Sequence, residues 1–208
     1  MRLRALVAVM GLLGACAAQS EVDNNTPRVE QVQAAGFTTA HALQFKVVDE
    51  GSTVMKELFQ SITPGSIGAE IDRWTVDGKT FTDYYLSGPS PAALRTYLAD
   101  KRIPPDRELA FEKLGPDRWR TLLLIPTTEL DDTSIARAEV SQDANIEHPL
   151  VTLDLTPAGA RTFGDLTARI AGHKLAVLVD GTVTSAPVII DAIRGGRAQI
   201  TFGDDAQL

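Results

Sequence analysis

The clearest alternation of apolar and polar positions in this chain lies between Val151 and Thr201. Apolar and polar residues alternate from Val151 to Leu155, which predicts a strand with one buried face. Thr156 then suits a helix N-cap and Pro157 the first helical position. Apolar positions recur along this helix at three- and four-residue spacing, at Ala160, Phe163, Leu166, Thr167 and Ile170.

The remainder of this stretch predicts a hairpin and one more strand. Gly172 can take the left-handed conformation that ends a helix. The apolar run Leu175 to Val179 meets the turn pair Asp180-Gly181, and a loop then leads to the short strand Ala198 to Thr201. The order strand, helix, hairpin, loop, strand predicts a sheet with a helix packed on one face.

The earlier half of the chain predicts further strand and helix units. Leu43 to Val47 alternates as a strand, and Val54 to Phe59 has a helical apolar face. Hairpins are predicted around Asp77-Gly78 and around Gly115 to Asp117, separated by a helix that Ser90 caps. We therefore predict an α+β fold, in which a base of antiparallel or mixed sheet with helices spans residues 37–145. A strand-helix-hairpin-strand head spans residues 146–208.

The first residues predict a targeting segment. Two arginines precede the apolar run Ala5 to Leu13, which is too short to span a bilayer and suits a signal-peptide core. Leu13 to Cys16 resembles a bacterial lipobox, so residues 1–16 are interpreted as a lipoprotein signal peptide with lipid attached to Cys16. An ordinary secretory signal is the alternative. Residues 17–36 are polar and are predicted to form a tether.

Composition restricts the class of partner and the chemistry. The 208 residues include 20 basic and 27 acidic side chains, for a net charge of −7. This balance argues against nucleic acid as a partner, since phosphate binding needs clustered lysine and arginine. Cys16 is the single cysteine, so neither an internal disulfide nor a multi-thiolate metal site can form.

Three groups of residues resemble the head subdomain of the first periplasmic domain of SecD, a bacterial protein-export subunit. They are Gly159, Ala160 and Phe163 on the predicted helix, LAVLVDGTVTSAPVI from Leu175 to Ile189, and IRGGRAQIT from Ile193 to Thr201. The resemblance implies a ferredoxin-like, SecD-type periplasmic fold whose head is inserted between strands of the base. It also implies contact with emerging polypeptide and partnership with the Sec machinery.

The residue types that carry catalysis or bind metals do not form a recognisable motif. The histidines lack zinc-ligand spacing, Ser185 lacks the glycine-bracketed elbow of a hydrolase, and Gly195-Gly196-Arg197 lacks the Lys-Ser/Thr of a phosphate loop. We therefore predict no catalytic residue, no metal and no cofactor. Residues given a structural or solvated role instead are His41, His148, His173, Asp131-Asp132, Asp204-Asp205, Trp74, Tyr84, Tyr85 and Trp119.

The predicted function is that of a non-catalytic binding module of the cell envelope that assists export or binds extended polypeptide. An exposed strand edge near Pro187 and the loop Gly195, Gly196 and Arg197 would supply main-chain hydrogen bonds. The alternatives are a structural or interaction lipoprotein without an export role and an envelope hydrolase using Ser185. The predicted location is the periplasmic side of the envelope, through a lipid anchor, with the outer membrane favoured because Ala17 follows the cysteine. A secreted periplasmic protein is the alternative.

Overall fold

The computed structural model describes residues 43–63, 65–142 and 149–201. The predicted signal peptide with Cys16 and the predicted tether lie outside the described residues. The same holds for His41, His148 and Asp204-Asp205. Of the helices in the described part, none is long and apolar enough to cross a membrane.

The described chain forms eleven strands and three α-helices. The strands are β1 (Leu43–Val47), β2 (Gly68–Val76), β3 (Lys79–Gly88), β4 (Glu108–Gly115), β5 (Arg118–Leu124), β6 (Leu130–Asp131), β7 (Ile135–Gln142), β8 (Pro149–Leu155), β9 (Leu175–Val179), β10 (Thr182–Ser185) and β11 (Arg197–Thr201). The helices are α1 (Thr53–Gln60), α2 (Pro91–Leu98) and α3 (Pro157–Arg169), with a 3-10 turn at Asp132–Ser134. The predicted α+β class is confirmed.

The large sheet has the order β2-β3-β5-β4-β10-β9-β1-β6. Its pairings are antiparallel except that of β10 with β4. The end of β1 returns to β5, because Val48 bridges Leu124 and the Asp49 N–H donates to the Leu123 carbonyl oxygen over 2.8 Å. Strands β5, β4, β10, β9 and β1 therefore close into a small ring. Its interior is filled by Val48, Ala110, Leu122, Leu124, Ala176, Leu178, Val183 and Ala186.

Two further apolar clusters lie outside this ring. Helices α1 and α2 pack Met55, Leu58, Leu94 and Leu98 against the large sheet. Helix α3 packs between β1, β9 and a small sheet of order β11-β8-β7, where Phe163 is 3% exposed and meets Phe45 edge-on at 6.0 Å.

Local signals in the sequence explain where the elements start and stop. The Thr156 hydroxyl accepts from the Gly159 N–H at 3.1 Å, and Gly172 has φ 90° just after α3. Both residues of the Asp180-Gly181 turn have positive φ, at 50° and 75°, as a type I′ hairpin requires. Asp77-Gly78 has the same geometry. The predicted caps and hairpins are confirmed.

Strands from both sides of the predicted boundary at residues 145/146 share both sheets. In the large sheet β9 pairs with β1 and β10 pairs with β4, and in the small sheet β8 pairs with β7. The division into base and head stays a prediction.

Candidate functional site

The small sheet has two edge strands, β7 and β11, and among the described residues β11 pairs with β8 alone. The Leu155 N–H donates to the Gly196 carbonyl oxygen at 2.8 Å. Bonding direction alternates along an antiparallel ladder, so Ala198 also bonds toward β8. Arg197 and Gln199 direct their N–H and C=O groups away from it. This edge therefore offers backbone donors and acceptors to an added strand.

The side chains of β11 divide between two environments. Ala198 and Ile200 are 7% and 6% exposed and pack toward α3, whereas Arg197 and Gln199 are exposed on the other face. An apolar face thus anchors the strand while its edge and outer face stay accessible.

The outer face of the small sheet carries a row of alternating charge. Arg137 and Arg197 both lie opposite Asp154, one on each side. Arg197 Nε donates to Asp154 Oδ1 at 2.7 Å, and this hydrogen bond, with the charge of both arginines, lowers the pKa of Asp154. Arg137 is also ion-paired with Glu139. The row therefore ends on a cation at both edges of the sheet, at Arg137 in β7 and at Arg197 in β11.

Three of the four predicted contact residues lie at the β11 edge. Gly196 has φ 68°, and a Cβ there would lie 3.3 Å from that of Ala160, so glycine suits the close approach of the loop to α3. Gly195 is exposed. Pro187 lies elsewhere, beside the start of β9, where its carbonyl oxygen accepts from the Leu175 N–H at 3.0 Å. One side of the backbone near Pro187 is therefore already paired, and its contact role stays a prediction.

A second polar feature is a cluster of buried charges around Lys174, whose side chain is 4% exposed. Its ammonium donates to Asp83 Oδ2 at 2.5 Å and to Asp72 Oδ2 at 3.3 Å, and it lies 4.7 Å from the centre of the Trp74 ring. Burial, followed by the positive charge of Arg120, lowers the pKa of Lys174. Asp83 and, more weakly, Glu112 raise the pKa of Lys174 and so act in the opposite sense.

Arg120 extends this cluster to two more strands. Its guanidinium meets Glu112 at 2.5 Å and Asp72 at 3.3 Å, and it stands over the Tyr85 ring at 5.4 Å. The five charged residues of the cluster come from β2, β3, β4, β5 and the residue before β9. Buried charges need such mutual pairing, since removing one partner leaves another charge without compensation.

The cluster continues into a contact between Glu50 and the segment that follows α3. Glu50 accepts from the backbone N–H of Lys174 through Oε1, and its Oε2 lies 3.0 Å from His173 Nδ1. Burial raises the pKa of Glu50, although the His173 and Lys174 hydrogen bonds oppose the rise. Because the pKa of Glu50 is higher in the folded than in the unfolded state, its protonated carboxyl contributes to the stability of the fold, and this contribution is fully present below the unfolded pKa. This contribution is lost as pH rises through the folded pKa.

Aromatic residues hold the same segment from another side. Trp74 Nε1 donates to the Gly172 carbonyl oxygen at 2.7 Å, and Phe81 stacks on Trp74 at 6.0 Å. A Cβ at Gly172 would lie 2.2 Å from Phe81 Cζ. Residues 172–174 are thus fixed by the β2-β3 hairpin and by Glu50. The structural role predicted for Trp74 is confirmed, as it is for the other three aromatic residues in strands, Tyr84, Tyr85 and Trp119.

The remaining candidates have local roles. Asp131 caps the 3-10 turn by accepting from the Thr133 N–H at 3.1 Å, and Ser185 is a partly buried residue at the end of β10. Within residues 43–63, 65–142 and 149–201, no group of three or more His, Cys, Asp or Glu side chains is arranged to hold a metal ion.

Comparison with known proteins places these features in a family context. Residues 108–207 match the family model described as the SecDF P1 head subdomain. This stretch resembles a SecD-type head region. SecDF of Thermus thermophilus is 44% identical over 158 residues, which are 76% of this chain and 16% of that protein. SecD of Acidaminococcus fermentans is 49% identical over 59 residues, or 28% of this chain and 14% of that protein.

The match is partial with respect to the relatives. SecD of Calditerrivibrio nitroreducens is 30% identical over 127 residues, covering 53% of this chain and 25% of that protein. The chain thus spans between 14% and 25% of the length of these three relatives. The crystal structure of SecDF in its super-membrane-facing form aligns with 77% of this chain and 16% of that chain, at 25% identity and a TM-score of 0.41.

The SecD-type head region contains the whole β11 edge but only part of the buried cluster. The matched residues begin at β4, so they include Glu112, Arg120 and Lys174, while Asp72 and Asp83 precede them. The cluster therefore joins the head region to the β2-β3 hairpin.

Sequence reasoning missed the cluster, although a local signal for half of it was present. The two-residue turn Asp77-Gly78 fixes the register of its hairpin, which sets Asp72 directly opposite Asp83. Like charges opposite each other are destabilising, so this pair calls for a nearby cation. Nothing local indicates that the cation is Lys174.

Proposed function

We propose that this chain is a non-catalytic, export-related binding module of the bacterial cell envelope, in which the β11 edge contacts extended polypeptide. The proposal rests on the backbone N–H and C=O groups of Arg197 and Gln199, which point away from β8. The strand itself is held by its pairing with β8 and by the buried side chains of Ala198 and Ile200. Main-chain pairing of this kind is independent of the partner's sequence, which suits a protein that meets many unfolded chains.

The likeness to SecD supports the export context. A solved relative is described as a membrane component, SecDF, that enhances protein export. We extend that role to this chain as a partner of the Sec machinery on the periplasmic side. A lipid on Cys16 would hold the module at the membrane, and Ala17 favours the outer one. Cys16→Ser is expected to leave the protein soluble or unprocessed, and continued partitioning into detergent would argue against the anchor.

A photo-crosslinking amino acid at position 199 tests the edge in cells. Thr162, exposed on α3, is the matched control position. We expect position 199 to crosslink to many secretory polypeptides and position 162 to few. Equal labelling at both positions, or one constant folded partner at position 199, would contradict the proposal. The second outcome would favour a structural lipoprotein.

A backbone variant separates main-chain pairing from side-chain contact. Gln199→Pro removes the outward N–H, a change that edge strands tolerate because this group faces solvent. Gln199→Ala keeps the N–H and is the control. We expect Gln199→Pro alone to reduce crosslinking from a probe at Gly195, with both variants still folded by circular dichroism. Equal crosslinking in the two variants would show that the edge N–H takes no part.

A further inference from the structure

The charge row on the small sheet ends on an exposed arginine at each edge strand. Arg137 in β7 is ion-paired with Glu139 of its own strand, whereas Arg197 in β11, within the described part of the chain, is bonded only toward β8. Arg137, Asp154 and Arg197 alternate in sign across neighbouring strands, and the Arg197 side chain is 64% exposed. A strand added beside β11 would place a side chain next in this row. Opposite charges at neighbouring cross-strand positions are stabilising, and like charges are destabilising.

The bonding of Arg197 leaves donors for that neighbour. Asp154 is bonded through the Arg197 Nε atom, and the two terminal nitrogens of the guanidinium carry four more N–H groups. A carboxylate of the added strand can accept from them without displacing Asp154. Since the guanidinium geometry suits carboxylate groups, an acidic side chain is the best complement.

The loop before β11 reinforces this local charge. Arg194 is exposed, with a distant contact of 3.9 Å to Asp165, and Gly195-Gly196 place no side chain between the two arginines. The chain as a whole carries a net charge of −7, so this edge differs in sign from the average surface.

We infer that the β11 edge favours extended polypeptide segments with an acidic residue at the position across from Arg197. The inference rests on the proposed function, because it names which segments the edge prefers. It makes the edge selective by charge at one position while the backbone pairing stays general.

Three synthetic peptides test the inference with the full chain. They share one alternating, β-branched sequence and differ at a central position that holds Glu, Gln or Lys. Fluorescence anisotropy of the labelled peptides gives Kd at low salt for wild type, Arg197→Gln and Arg197→Glu. Arg161→Gln removes an exposed arginine of α3 and serves as the charge-matched control.

We expect the Glu peptide to bind wild type about two- to fivefold more tightly than the Gln peptide, and the Lys peptide more weakly. Arg197→Gln should abolish the order, Arg197→Glu should reverse it, and Arg161→Gln should keep it. Binding without a charge order, or an order that survives in Arg197→Glu, overturns this inference and leaves the proposed function standing. Failure of all three peptides to bind wild type overturns both.

Discussion

Replacing Lys174 by methionine is the sharpest test of the buried cluster. The substitution keeps much of the apolar stem and removes the ammonium that lies between Asp72 and Asp83, whose side chains are 7% and 5% exposed. Asp72 retains Arg120 at 3.3 Å, whereas Asp83 loses its 2.5 Å partner. The dominant cost therefore arises at Asp83.

The expected loss follows from removing one partner of a buried ion pair, which costs about 3–5 kcal/mol. With a urea m-value of about 2 kcal/mol/M for a domain of this size, the midpoint should fall by about 1.5–2.5 M. Trp74 reports locally, because the Lys174 ammonium lies 4.7 Å from its ring centre. Urea unfolding followed by tryptophan fluorescence measures both effects.

A double variant checks the assigned cause. In the double variant Lys174→Met/Asp83→Asn, the Asp83 carboxylate that loses its cation in the single variant is replaced by a neutral amide. The double variant should therefore be more stable than Lys174→Met alone by about 1 kcal/mol or more. If Lys174→Met costs less than about 1 kcal/mol, the value typical of exposed pairs, then the cluster is not the buried network described above. A double variant no more stable than the single one would show that Asp83 is not the group left uncompensated.

The remaining predictions concern the Glu50 carboxyl and helix α3. Burial raises the pKa of Glu50, so the wild type loses stability as this carboxyl ionises with rising pH. The free energy of unfolding of Glu50→Gln, measured with urea, should therefore rise relative to that of the wild type from pH 4 to pH 8. Glu70 is the control with the opposite sign: although burial opposes it, hydrogen bonds from Ser87 and Arg118 lower its pKa, so Glu70→Gln should lose stability over the same range. Parallel pH profiles for the two variants would refute the assignment. Phe163→Ala should cost about 3–5 kcal/mol by urea unfolding, and an unchanged midpoint would contradict its place in the core. Thr156→Ala should cost about 1 kcal/mol in the same assay, whereas no loss would show that the cap is not stabilising.

The elements of this fold were predictable because their signals are local. Thr156 followed by Pro157 marks the start of α3, and the turn pairs at Asp77 and Asp180 mark hairpins through positive φ values. Alternation between Val151 and Leu155 then assigns the buried face. Each signal lies within a few residues of the structure that it specifies, so no knowledge of distant partners was needed.

The ring closure and the buried cluster depend on partners far apart in the chain. Val48 meets Leu124, and Lys174 reaches Asp72 across 102 positions. The opposed Asp72 and Asp83 carboxylates indicate that a positively charged side chain lies nearby. They do not indicate which one, because any lysine or arginine close to them would offset their repulsion. The hydrogen bond at the Pro187 carbonyl oxygen was not predicted either. Its donor, Leu175, begins β9, and the position of β9 depends on the long-range pairings of the ring.

Helix α3 separates the two polar features, so their effects can be measured independently. Its first turn approaches Gly196 through Ala160, while the segment after its last turn enters the buried cluster at Lys174. Mutational effects at sites that share no partner usually add. Folded Lys174→Met protein should therefore keep the charge order of peptide binding, and Arg197→Glu should change that order with little loss of stability. If Lys174→Met altered peptide selectivity while the protein remained folded, the cluster would be part of the binding mechanism and not only of the fold.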